Sequence, residues 1–171
     1  MILDTAIDVI TFAYYDSPIG VLKIGGTDLY ISQISFAENE TNPEEQSTET
    51  PAIIHDCIEQ LIEYFAGNRQ TFDLPIHQDG TEFQEKVWGK LSEIPFGSTM
   101  SYGELAKKMG DPKVVRAAAA ANGKNKLMIL VPCHRVIGAD RSLVGYAGGM
   151  PKKKWLLQHE FRIKHGVQTL F

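Results

Sequence analysis

Three apolar stretches separated by polar turns dominate the first forty residues of the chain. Residues 10–15, 20–24 and 29–36 are rich in β-branched and aromatic side chains, and the third alternates apolar with polar positions. Such patterns are typical of short, half-buried strands. Residues 16–19 contain the aspartate and the proline that favour a turn between the first two stretches. The sequence therefore predicts a small N-terminal sheet.

Residues 38–50 contain no large apolar side chain, and we expect them to form a solvated, acidic loop. A helix is predicted next, with Thr50 as its cap, Pro51 at its first position and Gly67 at its end. Its apolar residues recur on one face: Ile53, Ile54, Cys57, Ile58, Leu61, Ile62 and Phe65. Cys57 lies in this stripe and is therefore interpreted as an inert core thiol.

Two capping-box patterns open helices in the second half of the chain. Thr81-Glu82-Phe83-Gln84 precedes the first helix, and Ser101-Tyr102-Gly103-Glu104 precedes the second. Gly110 ends that second helix, and Asp111-Pro112 starts a third, which runs through the alanine-rich residues 114–121. Two helices joined by so tight a turn resemble a DNA-binding helix-turn-helix, although an ordinary helical hairpin in a core has the same pattern.

Composition places the chain among ordinary globular proteins, with 171 residues, 43% of them hydrophobic and 22% charged. No run of about eighteen apolar residues predicts a membrane span, and the N-terminus lacks the basic and apolar regions of a signal peptide. Two cysteines are too few for a secreted disulfide scaffold. These features predict a cytoplasmic protein with free thiols and no membrane partner.

Charge is distributed unevenly along the chain. Residues 1–80 carry two basic and fourteen acidic side chains, whereas residues 81–171 carry fifteen basic and seven acidic ones. Although the net charge is −4, the second half of the chain is basic, and it includes the lysine-rich start of a helix predicted over residues 151–161. A basic half favours contact with a polyanion, while attraction between the two halves is the simpler alternative.

The candidate chemistry centres on Cys133, which follows the apolar run 127–131 and a proline. His134 could act as its base, but neighbouring side chains usually point apart, so a bridging water or a turned backbone would be needed. Arg135 adds a positive charge that would favour the thiolate. From these residues alone, a reactive thiol and a structural thiol are both open. A zinc site is a weaker interpretation, because the cysteines and histidines lack paired ligand spacing.

Pro132-Cys133-His134-Arg135-Val136 resembles the signature of the O6-alkylguanine–DNA alkyltransferases, which are also called methylated-DNA–protein-cysteine methyltransferases. Further residues shared with that family stand at matching separations over residues 81–165: Ser101-Tyr102, Arg116, Asn125, Gly145-Tyr146-Ala147-Gly148-Gly149, Lys153, Trp155-Leu156-Leu157 and His159-Glu160. The N-terminal part resembles the family more loosely.

The resemblance implies an α+β protein with two domains. Residues 1–79 would form a small, ribonuclease H-like domain of sheet and helix. Residues 80–171 would form a mostly helical, winged-helix-like domain that contains the helix-turn-helix. The turn-forming residues 78–80, where the sign of the charge changes, mark the predicted boundary.

The resemblance also implies roles for the matching residues. Cys133 would attack the alkyl carbon on the base oxygen, His134 would take the thiol proton through a water, and Glu160 would orient that histidine. Tyr102 and Lys153 would assist departure of the dealkylated base. Because a thioether has no easy leaving route, each molecule would act once, on O6-alkylguanine, with O4-alkylthymine as a second candidate lesion. No cofactor and no metal are implied.

The implied partner is double-stranded DNA with an alkylated base, which a monomer would bind through the minor groove. The damaged nucleotide must leave the base stack before the thiol can attack it. Arg116 would fill the gap, and Asn125 would hold the turn between its helix and the cysteine segment. The other residues expected to contact the base or the DNA, partly through backbone groups near Val136 and Ala147, are Arg135, Val136, Tyr146, Ala147 and Gly148.

The sequence departs from parts of the family pattern. Some members have serine where Ala147 stands, so a side-chain contact there is absent while a backbone contact survives. The zinc ligands of some N-terminal domains have no counterpart, and relatives that only bind lesions replace the cysteine by tryptophan. Two other classes are weighed against the transferase: a lesion-recognition protein without chemistry, and a cysteine hydrolase that uses Cys133, His134 and Glu160 over many turnovers.

Overall fold

The computed structural model describes residues 9–37 and 49–166, so most of the predicted acidic loop, residues 38–48, lies outside the described part. The N-terminal half opens with an antiparallel sheet in the order β1-β2-β3. Its strands are β1 (Thr11–Ser17), β2 (Gly20–Gly26) and β3 (Ile31–Phe36). Ser17 pairs with Gly20 across a tight turn, as the proline and aspartate near it predict.

Helix α1 (Ala52–Phe65) packs its buried residues Ile54, Cys57, Leu61, Tyr64 and Phe65 against the core. The predicted helix is confirmed, but its start is corrected, because Pro51 occupies the cap position and no side chain caps the helix. Ile62 was predicted to face the core and is 47% exposed, since it lies beyond the edge of the apolar stripe. Burial raises the pKa of the Cys57 thiol to about 12, which fits an inert core residue.

The second half is helical, as predicted. It contains α2 (Glu82–Leu91), α3 (Tyr102–Lys108), α4 (Val115–Gly123) and α5 (Met150–His165), with a 3-10 turn, Pro112–Val114, leading into α4. Both capping boxes form, with Thr81 and Ser101 each accepting a bond from the backbone three residues later. Two short parallel strands, β4 (Met100–Ser101) and β5 (Val136–Ile137), tie the start of α3 to the segment after the cysteine.

A shared core joins the two halves. The Ile34 amide of β3 donates to the Lys126 carbonyl at 2.8 Å, and the Met128 amide donates back to the Ile34 carbonyl at 3.3 Å. The chain that leads to Cys133 is therefore anchored on the N-terminal sheet. The α+β class, with a small antiparallel sheet followed by a helical half, is confirmed.

Candidate active site

Cys133 begins a short 3-10 helix, Cys133–Arg135, immediately after the apolar run 127–131. Within that run Ile129 has a φ angle of 73°, which is uncommon for a β-branched residue, and its side chain is buried. The turn is held by a bond from the Val131 amide to the Leu127 carbonyl at 2.9 Å. The backbone is thus bent just before the cysteine, and the hydrogen bond between Val131 and Leu127 holds the two sides of the bend together.

His134 and Glu160 form a buried pair below the cysteine. Nε2 of His134 lies 2.7 Å from Oε2 of Glu160, although the two residues are 26 positions apart in the chain. Because a carboxylate only accepts, Nε2 carries the proton and Nδ1 of a neutral ring is left as an acceptor. Nδ1 has no hydrogen-bond partner within residues 9–37 and 49–166. Nδ1 of His134 is therefore free to accept a proton. Among the described residues, His134 forms no direct hydrogen bond with the Cys133 thiol.

Several donors converge on the carboxylate of Glu160. Arg135 binds both oxygens, with Nε at 2.7 Å and a terminal nitrogen at 3.1 Å, and the Tyr64 hydroxyl donates to Oε2 at 2.6 Å. The Gly97 amide adds a longer bond of 3.5 Å. Burial alone would raise the pKa of Glu160, but His134 and Arg135 hold that pKa well below its usual range. Glu160 is thus a fixed negative charge.

The predicted role of Arg135 is wrong in this structure. Its guanidinium is buried, binds Glu160 and donates to the Ile94 carbonyl at 2.7 Å, so the side chain faces the interior rather than DNA. The positive charge that acts on the thiol is instead that of Lys153, which favours ionisation of Cys133. The guanidinium is held at the carboxylate of Glu160 by these hydrogen bonds.

Burial favours the protonated form of the Cys133 thiol. Burial raises its pKa above the ordinary value, and this outweighs the lowering by a hydrogen bond from Asn125 and by the charge of Lys153. Arg135, which was expected to favour the thiolate, is not among the groups that shift this pKa. Burial also lowers the pKa of His134, despite the opposing effect of Glu160, so its imidazole is neutral and can accept a proton. A neutral imidazole therefore stands next to a thiol that burial keeps protonated.

Lys153 is buried, and its ammonium donates to three carbonyls. The acceptors are Val136 at 2.7 Å, Val144 at 2.8 Å and Gly145 at 3.1 Å. Burial lowers the pKa of Lys153 to about 8, while the nearby Cys133 opposes that shift. The side chain therefore ties the strand after the cysteine to the loop over the pocket. Val136 keeps one carbonyl lone pair for another donor.

Asn125 holds the turn before the cysteine, in the position predicted for it. Its amide nitrogen donates to the Val131 carbonyl at 2.9 Å, and its oxygen accepts from the Leu127 amide at 3.1 Å. Gln78, which the sequence did not single out, donates to the same oxygen at 2.9 Å and accepts from the Lys126 amide at 2.9 Å. The end of the N-terminal half therefore braces this turn.

A pocket of about 130 Å³ opens onto Cys133. Its lining comes from the start of α3, the end of α4, the cysteine segment and the following loop: Tyr102, Ala119, Asn122, Gly123, Asn125, Met128, Cys133, Gly145, Tyr146 and Ala147. The structure thus brings five residues predicted for the site, Tyr102, Asn125, Cys133, Tyr146 and Ala147, to one cavity.

Two tyrosines and an asparagine supply polar groups to this pocket. The Tyr102 hydroxyl donates to the Val144 carbonyl at 2.8 Å. The Tyr146 hydroxyl and the Asn122 side-chain oxygen are buried and have no hydrogen-bond partner among the described residues. Asn122 also lies 3.5 Å from the Cys133 carbonyl through its nitrogen. Sequence reasoning treated Asn122 only as a helix end, and no local signal marks it as a pocket residue.

Gly148 does not line the pocket. A Cβ atom at this position would clash with the ring of Phe36, which packs over the loop from the end of β3. Gly148 thus packs closely against the end of the N-terminal sheet, and its contact with a base stays a prediction. Ala147, its neighbour, is exposed at the pocket rim.

Helix α4 presents Arg116 to the outside. Arg116, Ala117 and Ala120 are exposed, whereas Ala118 and Ala121 are buried. The exposed arginine thus stands at the start of a smooth face of small side chains, on the same helix that lines the pocket through Ala119. This placement fits a helix that lies against another surface.

Within residues 9–37 and 49–166, no group of three or more histidine, cysteine or acidic side chains could hold a metal ion. In the same ranges no helix is long and apolar enough to cross a membrane. Both cysteines are free thiols.

Two family models match successive parts of the chain. Residues 10–78 match the family model described as 6-O-methylguanine DNA methyltransferase, ribonuclease-like domain. Residues 82–162 match the one described as 6-O-methylguanine DNA methyltransferase, DNA binding domain.

Individual relatives agree with the family models. A methylated-DNA–protein-cysteine methyltransferase of Mycolicibacterium paratuberculosis is 42% identical over 163 residues, covering 95% of this chain and 99% of the relative. The constitutive enzyme of that name from Bacillus subtilis is 44% identical over 156 residues, covering 88% and 94%. The crystal structure of Mycobacterium tuberculosis O6-methylguanine methyltransferase superposes with a TM-score of 0.80 at 40% identity, covering 90% and 93%. The chain belongs to the O6-methylguanine DNA methyltransferase family.

Proposed function

We propose that this protein repairs DNA by transferring the alkyl group of O6-alkylguanine to its own Cys133, once per molecule. The observation that carries the proposal is Cys133 at the pocket floor beside a buried His134–Glu160 pair at 2.7 Å. Relatives across nearly the whole chain are named for transfer to a protein cysteine. O4-alkylthymine is the second lesion that we propose to test.

The proposed reaction begins with loss of the thiol proton. His134 accepts it at Nδ1 through a bridging water, and the negative Glu160 stabilises the resulting imidazolium. The Cys133 sulfur then attacks the alkyl carbon, a carbon–sulfur bond forms, and the bond between that carbon and O6 breaks. The electron pair passes to the base, which regains a proton at N1 and leaves as guanine. The proton lost by the thiol balances the proton gained by the base.

Lys153 and Tyr102 are proposed to assist the transfer in different ways. Lys153 places a positive charge near the thiol while its protons bind three carbonyls, so it favours the thiolate and fixes the loop. Tyr102 lines the pocket with a hydroxyl that bonds a loop carbonyl, and it can turn to donate to the base. Tyr146 offers a second buried hydroxyl there, and the backbone near Val136 and Ala147 would read the base edge.

The DNA partner is proposed to be a duplex bound by one copy of the protein through its minor groove. The smooth face of α4 with exposed Arg116 supports this, because small side chains permit close approach and an arginine can replace an extruded base. A solved structure of the M. tuberculosis protein OGT in complex with DNA, 40% identical with a TM-score of 0.80, supports DNA as the partner. We place the domain boundary between residues 79 and 80, in the gap between the two family-model matches.

Intact-mass spectrometry with an O6-methylguanine duplex tests the proposal. One added methyl group on Cys133, with the lesion lost in equal amount, is the expected result. A Cys133→Ala variant should bind the duplex with unchanged affinity and leave the lesion intact, which separates chemistry from recognition. More than one turnover per molecule would identify a hydrolase, and bound but unaltered lesion with the native protein would identify a recognition protein; either outcome rejects the transferase.

A further inference from the structure

A tyrosine of the N-terminal half reaches the carboxylate that orients His134. Tyr64 lies on α1, 96 positions before Glu160, and its hydroxyl donates to Oε2 at 2.6 Å. The same oxygen accepts the bond from His134 at 2.7 Å. A terminal nitrogen of Arg135 donates to this oxygen as well, at 3.1 Å. Three donors therefore share one carboxylate oxygen, so a change in one bond alters the others.

Tyr64 also holds the neighbour of Glu160. Its backbone carbonyl lies 2.8 Å from Nε2 of His159, and its ring centroid lies 5.3 Å from that of His159. The Tyr64 ring is fully buried and meets Phe72 and Phe96 at centroid distances of 5.6 and 6.1 Å. Tyr64 thus contacts two consecutive residues of α5, His159 and Glu160. Aromatic rings from both halves of the chain pack against it.

We propose that Tyr64 is a positioning residue for alkyl transfer, whose hydroxyl fixes the Glu160 carboxylate and thereby sets the orientation and basicity of His134. The inference rests on the proposed function, in which His134 receives the thiol proton. It assigns the N-terminal half a part in the chemistry.

The direction of the effect follows from the charges around the pair. Glu160 faces Arg135 and His134, and His134 also faces the charge of Lys153. Burial and the negative charge of Glu160 raise the pKa of the Tyr64 hydroxyl, with a smaller contribution from Tyr146, whereas the charge of Arg135 lowers it. Without the Tyr64 hydroxyl, more negative charge stays on Oε2, so the imidazolium of His134 is stabilised and its pKa rises.

The test compares Tyr64→Phe with the native protein. The rate constant of methyl transfer is measured at saturating O6-methylguanine duplex across pH, together with duplex affinity. We expect the acid limb of the profile to move to higher pH and the plateau rate to fall about 10-fold, since a hydrogen bond to a charged group is lost. Duplex affinity should not change, because Tyr64 lies in the core.

Two further variants separate positioning from packing. Tyr15→Phe removes a hydroxyl from the neighbouring ring cluster, 6.1 Å from Phe65, and should leave the profile unchanged. Incorporation of 3,5-difluorotyrosine at position 64 strengthens the donor without removing it, so the acid limb should move to lower pH. This second variant keeps the proposal testable where Tyr64→Phe fails to fold.

Direct titration of the His134 ring by NMR distinguishes this inference from the proposed function. A higher His134 pKa in Tyr64→Phe supports the positioning role even where the native protein takes up no methyl group, an outcome that rejects the transfer alone. A folded Tyr64→Phe with native rate, native profile and native His134 titration overturns the inference. Reduced stability with those three values unchanged overturns it as well, because it assigns Tyr64 to packing.

Discussion

Replacing Glu160 by glutamine removes one negative charge from the centre of the buried network while nearly preserving its shape. In the native protein Glu160 accepts bonds from Arg135, His134 and Tyr64 at 2.6 to 3.1 Å. The glutamine amide can accept at its oxygen only, and its nitrogen would face donors. The guanidinium of Arg135 would stay buried without a counter-ion.

The size of the loss follows from this geometry. Breaking a buried ion pair on one side costs about 3–5 kcal/mol, which for a chain of this size lowers the melting temperature by about 6–20 °C. The pKa of Glu160 lies well below its usual range in the fold, so its contribution is present above the unfolded carboxyl pKa of about 4.3 and is lost as pH falls through the folded value. The native protein should therefore lose stability on acidification more steeply than Glu160→Gln.

Urea unfolding at several pH values, followed by tryptophan fluorescence, measures both effects. The matched control is Arg135→Met, alone and combined with Glu160→Gln, because the double variant removes both charges. We expect the double variant to be more stable than Glu160→Gln, since no unpaired charge is left buried. A Glu160→Gln protein within about 1 kcal/mol of the native value, outside the range expected for a broken buried pair, would refute the reasoning.

Three further predictions follow from individual contacts. Gly148→Ala should cost about 1–3 kcal/mol in urea unfolding, because its Cβ meets the Phe36 ring. Phe36→Leu in the same chain should recover part of that loss. No loss in Gly148→Ala would mean that the loop has room for a Cβ atom. Asn125→Ala should lower the free energy of unfolding by about 2–3 kcal/mol, because buried backbone groups of the turn lose their partners. It should also slow methyl transfer, because the thiol loses the hydrogen bond from Asn125 that lowers its pKa. A native unfolding midpoint would contradict the first expectation. Iodoacetamide should label Cys133 slowly at neutral pH and faster as pH rises, with Cys57 unreactive until unfolding; rapid labelling of native Cys133 would show an ionised thiol.

Local signals account for the parts of the fold that the sequence predicted well. The capping boxes at Thr81 and Ser101 involve residues three positions apart, so their patterns can be read directly and both form. The β strands and the face of α1 follow from short-range alternation and periodicity. The start of α1 was placed too early, because Thr50 is a common cap residue but does not cap this helix.

The contacts that were missed join distant parts of the chain. Tyr64 meets Glu160 across 96 positions and Gln78 meets Asn125 across 47, and no local pattern encodes either contact. The error at Arg135 has the opposite origin, because its closeness to Cys133 in sequence suggested an effect on the thiol. The backbone directs that side chain to Glu160, so the charge near the thiol comes from Lys153, twenty positions later.

The buried thiol of Cys133 has a consequence for the lifetime of the protein in a cell. Peroxide and glutathione disulfide react with accessible thiolates, whereas Cys133 is only 6% exposed and its burial raises the pKa of the thiol. A molecule that works once would be wasted by sulfenic acid or mixed disulfide formation before it meets a lesion. Because burial limits both access to the sulfur and its ionisation, oxidation of Cys133 should be slow, which preserves the molecule for its single use.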